Sequence, residues 1–238
     1  MAVWFLISYT KINMSPLRKN VLVTKNVYHI YNRSIAKFII FNNAEEYQRF
    51  FQLLDLCRYK KFTYKPSQFN DLTPISQKHI INNLKIESDL LVEVVAYCLM
   101  PTHIHLLLKQ VVNNGISKYM ARILNGYSRY FNTKHNRVGP LWSGRFKNVL
   151  VSTNEQLLSL TRYIHLNPTS AGLLNKPEDW TYSSYHEYLG NETDNQICNF
   201  SKLLEIESEK YRKFVNDRKS YQRDISIMKS QLIDNYSG

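Results

Sequence analysis

The sequence predicts an α+β fold with an antiparallel sheet, and three observations lead there. Stretches at 27–33, 92–99, 103–109 and 146–151 have the alternation, or the β-branched and leucine-rich composition, of strands. The second and third meet at a tight corner, where Pro101 stops one ladder and permits a turn. Stretches of helical period fall between the others, giving the order strand, helix, strand pair, helix, strand, helix.

Taken in order, residues 1–15 are read as an N-terminal extension. Their apolar opening at 1–8 is too short to span a bilayer and lacks a basic flank and a cleavage site, so no membrane is expected among the partners. Val27 to Arg33 alternates as a first strand. Asn43 with Glu46 three residues on is a capping-box start for a helix to about Arg58, with Tyr47, Phe50, Phe51 and Leu54 as its core stripe. Residues 62–89, with Pro66, Pro74 and several Ser and Asn, are expected to be an insertion with at most one short helix near 77–84.

After the strand pair, Ile116, Met120, Ile123, Tyr127 and Phe131 mark one side of a long helix, and Lys118, Arg122 and Arg129 share another. Such a basic face is either merely solvated or a contact for a phosphate backbone. Gly139-Pro140 makes a turn before the strand at 146–151, and Trp142, Arg145 and Phe146 mix aromatic and cationic groups as single-strand binders do. Trp142 is equally read as core. Thr153 with Gln156 starts the next helix, striped by Leu157, Leu160 and Ile164, and Pro168 should end it near Asn167. A short helix is expected within 180–189, a polar boundary at 191–199, and two polar helices at 200–215 and 218–233. The chain then divides into the extension, a domain over 16–190 that contains the 62–89 insertion, and a helical tail over 191–238.

Composition narrows the function. With 44% apolar and 21% charged residues the chain is globular, not disordered. Its 31 Lys and Arg against 19 Asp and Glu give +12, a field that attracts a polyanion and makes nucleic acid the default partner. Three widely spaced cysteines make neither a disulfide framework nor a zinc knuckle, and fit a reducing cytoplasm.

The chemistry-bearing residues are His103 and His105, which project from one face of a strand while Ile104, Leu106 and Leu108 take the other. Two imidazoles make half of a metal site; a lone pair of this kind is also an ordinary core feature, so support is needed from elsewhere. It comes from Tyr163-Ile164-His165-Leu166-Asn167-Pro168. With His103-Ile104-His105, and with Tyr28-His29-Ile30-Tyr31-Asn32-Arg33 and Gly139-Pro140-Leu141-Trp142-Ser143-Gly144-Arg145-Phe146 in support, the chain resembles the single-tyrosine HUH transposases. The similarity runs over roughly 16–190 and is nearest to their REP-associated branch.

That resemblance implies a ferredoxin-like sheet of four to five strands. It implies a metal-dependent single-strand DNA endonuclease and strand transferase, with Tyr163 as nucleophile in a 5′-phosphotyrosine intermediate. His103, His105 and Asn167 would hold Mg2+ or Mn2+, and Lys118, Arg122, Arg129, Trp142 and Arg145 would contact single-stranded DNA with hairpin or palindromic ends. Asn167 has a second reading as a helix-stop residue before Pro168. Monomer and homodimer stay open. A catalytically silent protein recognising hairpin DNA or RNA is the alternative, and a plain interaction protein a third reading. His165, two residues beyond Tyr163, points well around the helix and is expected to pack or cap.

Overall fold

The structure is a computed structural model and describes residues 21–191 and 196–217. The expected extension at 1–15 and the helix at 218–233 lie outside the described residues. Among them the chain forms strands β1 (Val27–Arg33), β2 (Val92–Met100), β3 (His103–Gln110) and β4 (Lys147–Val151). The helices are α1 (Ala44–Leu56), α2 (Pro66–Asn70), α3 (Pro74–Glu87), α4 (Gly115–Lys134), α5 (Asn154–Ser170), α6 (Tyr185–Tyr188) and α7 (Ser208–Asn216). The sheet order is β2-β3-β1-β4, with every neighbouring pair antiparallel. Together with the β1-α1-β2-β3-α4-β4 chain order, this is the ferredoxin-like topology, in four strands.

Alternation gives the sheet two apolar faces. Tyr28 and Ile30 of β1 and Ile104, Leu106 and Leu108 of β3 pack into one core with the inner stripes of α1 and α4. Val27 and Tyr31 of β1 and Leu107 of β3 face the other way, into a second core made by α5, α6 and α7. A β-bulge between Val94 and Ala96 turns both Val95 and Ala96 to that second side, so β2 serves both cores.

The caps follow the sequence. The Asn43 side chain accepts from the Glu46 N–H at 3.2 Å, and Thr153 accepts from Gln156 N–H at 3.1 Å. Each satisfies one of the orphan donors at a helix start. The Glu46 carboxylate goes one residue further back than a capping box requires, to the Asn42 N–H at 2.7 Å.

Three expectations need correction. The segment 62–89 carries two helices, and α3 runs from Pro74 to Glu87, well past the short helix foreseen. Its Ile75 and Ile86 are exposed and only Leu84 is buried, so it has little apolar stripe to read. Helix α5 does not end before Pro168 but passes through it to Ser170. The ring is buried, and the carbonyls beyond it are taken up by Ala171 N–H to Asn167 at 2.9 Å and Leu173 N–H to Pro168 at 3.0 Å. The third concerns 180–189, where only the single turn of α6 is helical.

The C-terminal segment is packed onto the domain. Asn199 N–H donates to the Val94 carbonyl at 2.8 Å beside a Val94–Cys198 bridge, and Leu204, Tyr211 and Val215 are buried in the second core.

Candidate active site

The site lies on the sheet face covered by α5. In register, Arg33 of β1 stands opposite His103, Tyr31 opposite His105 on one side and Lys147 on the other, and His29 opposite Leu107. Residues directly opposite share a face, so His29, Tyr31, Arg33, His103, His105 and Lys147 all project toward α5. Tyr163 comes down from α5 onto this group. Its ring meets His105 edge-on at 5.7 Å between centroids and His29 at 6.1 Å.

The histidines are tightly coupled. His103 and His105 are edge-to-face with centroids 5.1 Å apart. His29 stacks on His105 at 5.2 Å, and its Nε2 lies 3.0 Å from His105 Nδ1. His103 Nδ1 is 3.0 Å from the Thr102 hydroxyl. Burial holds all three rings neutral: desolvation lowers His29 to about 3, desolvation and then the Arg33 charge lower His103 to about 4, and desolvation with the neighbouring histidines takes His105 well below 6.5. A neutral imidazole is the form that binds a metal.

This arrangement fits a cation on the His103–His105 pair. Each ring has Nδ1 occupied by a hydrogen bond, which leaves Nε2 for an outside partner. Among the described residues no group of three or more His, Cys, Asp or Glu could hold a metal ion. A third ligand from the chain, if the pair held a cation, would be of another type. Asn167 has its amide nitrogen donated to the Tyr163 carbonyl at 3.0 Å, so the side-chain oxygen is the atom left to offer.

The remaining sequence candidates divide. Arg145 is exposed, and its loop is tied to the end of β1 by Ser143 N–H to the Arg33 carbonyl at 2.9 Å. That places it at the His103 end of the sheet. Lys118 and Arg129 are exposed, but α4 packs on the opposite face of the sheet, so they are not gathered with the histidines. Arg122 is spent on the fold: its guanidinium donates to the carbonyls of Tyr59 at 2.8 Å and Lys60 at 3.2 Å. Trp142 is core, not an open stacking surface, being 9% exposed with its indole N–H on the Leu124 carbonyl at 3.2 Å.

His165 is fully buried between the Tyr211 hydroxyl and Ser184 Oγ, each at 2.7 Å, and so packs as expected. Sequence reasoning did not single out His29, Arg33 or Lys147. The signal for the first two was present, because alternation from Tyr31 carries His29 and Arg33 to one side of β1.

Residues 62–167 match the family model described as transposase, IS200 like, a span that contains His103, His105, Tyr163 and Asn167. A Haemophilus influenzae (strain Rd) protein, assigned by name to the REP-associated tyrosine transposases, is 32% identical over 104 residues. The aligned region is 40% of this chain and 59% of that relative, so the chain spans less than two thirds of the relative's length. A solved structure of a REP-associated tyrosine transposase bound to a REP hairpin aligns with a TM-score of 0.49 and 14% identity, over 79% of this chain and 93% of that one.

Proposed function

We propose that the protein, whose residues 62–167 match the family model described as transposase, IS200 like, is a DNA strand transferase that cuts and rejoins single-stranded DNA through Tyr163. The observation that carries this reading is the Tyr163 ring lying within 5.7 Å of His105 on a surface shared with His103 and Arg33. A nucleophile, a pair of neutral imidazoles and a cation for the phosphate stand together.

The step implied by the family resemblance is a transesterification. Tyr163 Oη attacks the scissile phosphorus, an O–P bond forms, and the bond from phosphorus to the 3′ oxygen breaks. The phenol loses its proton and the departing 3′ oxygen takes one up. The result is a 5′-phosphotyrosine with a free 3′ hydroxyl. The covalent link keeps the energy of the original diester, so a second 3′ hydroxyl rejoins the strand by the reverse attack.

His103 and His105, with the Asn167 side-chain oxygen, would hold a divalent cation. With N and O ligands together, Mn2+ or Mg2+ is expected. Such an ion, when bound, polarises the phosphate and eases attack by a phenol that is ordinarily protonated at neutral pH. Arg33, Lys147 and Arg145 draw the DNA backbone to this end of the sheet, and the α5 helix holds Tyr163 against the histidines. By its family resemblance the substrate is single-stranded DNA with hairpin ends.

The test is incubation of the protein with Mn2+ and hairpin-bearing oligonucleotides from the sequence flanking its gene, followed by denaturing electrophoresis and peptide mapping. A protein–DNA adduct on Tyr163, lost in Tyr163→Phe, is expected. An adduct on another tyrosine would reject the assignment. Cleavage persisting in Tyr163→Phe with no adduct would mean hydrolysis instead of transfer.

A further inference from the structure

We infer that His29 sets the tautomer of His105, and that loading the His103–His105 pair with a divalent cation moves the proton in the hydrogen bond between them. The inference rests on the cation reading given above, and starts from two facts about His29. Its Nε2 is 3.0 Å from His105 Nδ1, and its Nδ1 is buried with no hydrogen-bond partner. Both rings are 1% exposed, so water does not substitute for either contact.

Two neutral imidazoles sharing one hydrogen bond have two arrangements. In the first, His29 Nε2–H donates to His105 Nδ1. The proton of His105 then sits on Nε2, which cannot ligate, and His29 Nδ1 is a bare lone pair. In the second, His105 Nδ1–H donates to His29 Nε2. Now His105 Nε2 is a lone pair able to hold a cation, and the proton of His29 is on Nδ1, a buried N–H without an acceptor.

Orphaned buried backbone N–H groups are rarer than under-satisfied carbonyls, and the same ordering applied to ring nitrogens leaves the unpaired position to a lone pair and not to an N–H. The metal-free protein therefore favours the first arrangement and the loaded protein requires the second. On loading, the shared proton crosses from His29 to His105, the His105 Nε2 proton goes to solvent and His29 Nδ1 takes one up, with no net change in bound protons. His29 is thus a positioning residue. It serves His105 as a second-shell carboxylate serves a metal-bound histidine, but with resistance that an acceptor-only partner lacks. No group of three such ligands exists among the described residues, which agrees with His29 being a hydrogen-bond partner and not a third ligand.

The experiment reads the ring nitrogens directly. Protein labelled with 15N in histidine gives long-range proton–nitrogen spectra without metal and with Zn2+ as a diamagnetic probe. The expected result is Nε2–H on both His29 and His105 before loading, and Nδ1–H on both after it. Nδ1–H on His105 in the metal-free protein, unchanged on loading, would overturn the inference.

Mn2+ affinity supplies the second arm. His29→Glu, whose carboxylate only accepts, removes the unpaired ring N–H from the loaded form and should bind Mn2+ about 10-fold more tightly than wild type. An affinity no higher than wild type would also overturn the inference. If the unaltered protein takes up no Mn2+ at all, the cation of the preceding subsection falls and the coupling with it. The metal-free spectra still report which ring donates, so the two failures are told apart.

Discussion

Burial decides what each histidine does. His165 stands two positions beyond Tyr163, yet both of its nitrogens are spent on Tyr211 and Ser184 and its ring is enclosed by Tyr185, Tyr188 and Tyr211. Desolvation lowers it to about 3. Between that value and the unfolded value of about 6.5 the unfolded chain holds a proton that the folded chain does not. Stability is therefore full above about pH 6.5 and falls as the pH drops, by up to ~1.4 kcal/mol per pH unit for each such group. His29 and His103 act in the same direction. In urea titrations at pH 7, 6 and 5, His165→Gln should lose one group's share of the slope, since an amide can keep both hydrogen bonds without titrating. An unchanged slope would show that His165 is accessible to protons in the folded state. The same burial explains which residues were legible. His103, His105 and Tyr163 stood out by spacing and motif, whereas nothing marked Arg162, which is fully buried with its guanidinium over Phe214 and donating to the Asp217 carbonyl. No local pattern tells of a partner 55 residues away.

Helices are positioned by their first turns, and here the structure leaves little slack. Gly115 opens α4 with its Cα against β2: a Cβ would lie 2.2 Å from the Leu91 carbonyl oxygen. Backbone on both sides leaves no side chain to move, and the same oxygen already accepts from Val111 N–H at 3.1 Å. Gly115→Ala should destabilise by ~1–3 kcal/mol, visible as a lower Tm in thermal unfolding; an unchanged Tm would mean that the α4 start yields easily. Thr153→Ala removes the α5 cap and should cost ~1 kcal/mol while leaving adduct formation at Tyr163, more than two turns along, intact. Loss of the adduct with the fold retained would tie the cap to the site. Both caps and the α4 stripe were readable because they are local chemistry. The continuation of α5 through Pro168 was not. A proline removes its own N–H and crowds the carbonyl four residues back, and whether a helix survives that depends on tertiary packing around the ring, which the buried Pro168 has. Helix α3 escaped for the opposite reason: Thr73 caps it and Pro74 starts it, but exposed Ile75 and Ile86 hide its face.

At the scale of the molecule, charge and topology meet. The ferredoxin-like order sets β1 between β3 and β4, and so brings Arg33, His103 and Lys147 together from three separate parts of the chain. Several other cations are committed to acidic partners: Lys60 to Asp89, Lys109 to Glu93, Lys134 to Glu45 and Arg58 to Asp55. Those pairs cancel within the fold, so the +12 excess rests on the other cations, and its sign predicts attraction to DNA without saying where the strand lies. The topology supports the location proposed above. Arg145 and Lys147 flank the histidines, and Lys118 is exposed on the far layer. Binding of a fluorescent single-stranded oligonucleotide, measured from low to moderate salt, should give a log affinity that falls linearly with log salt. Each neutralised phosphate adds about 0.7 to the slope on a single strand. Arg145→Gln and Lys147→Gln should each weaken binding and reduce the slope by about 0.7. Lys118→Gln should leave the slope nearly unchanged, because a strand threaded past Tyr163 does not reach the outer side of α4. The opposite ranking, with Lys118 steepening the salt dependence and the site-side cations silent, would place the DNA across the helical layer and separate the binding surface from the tyrosine.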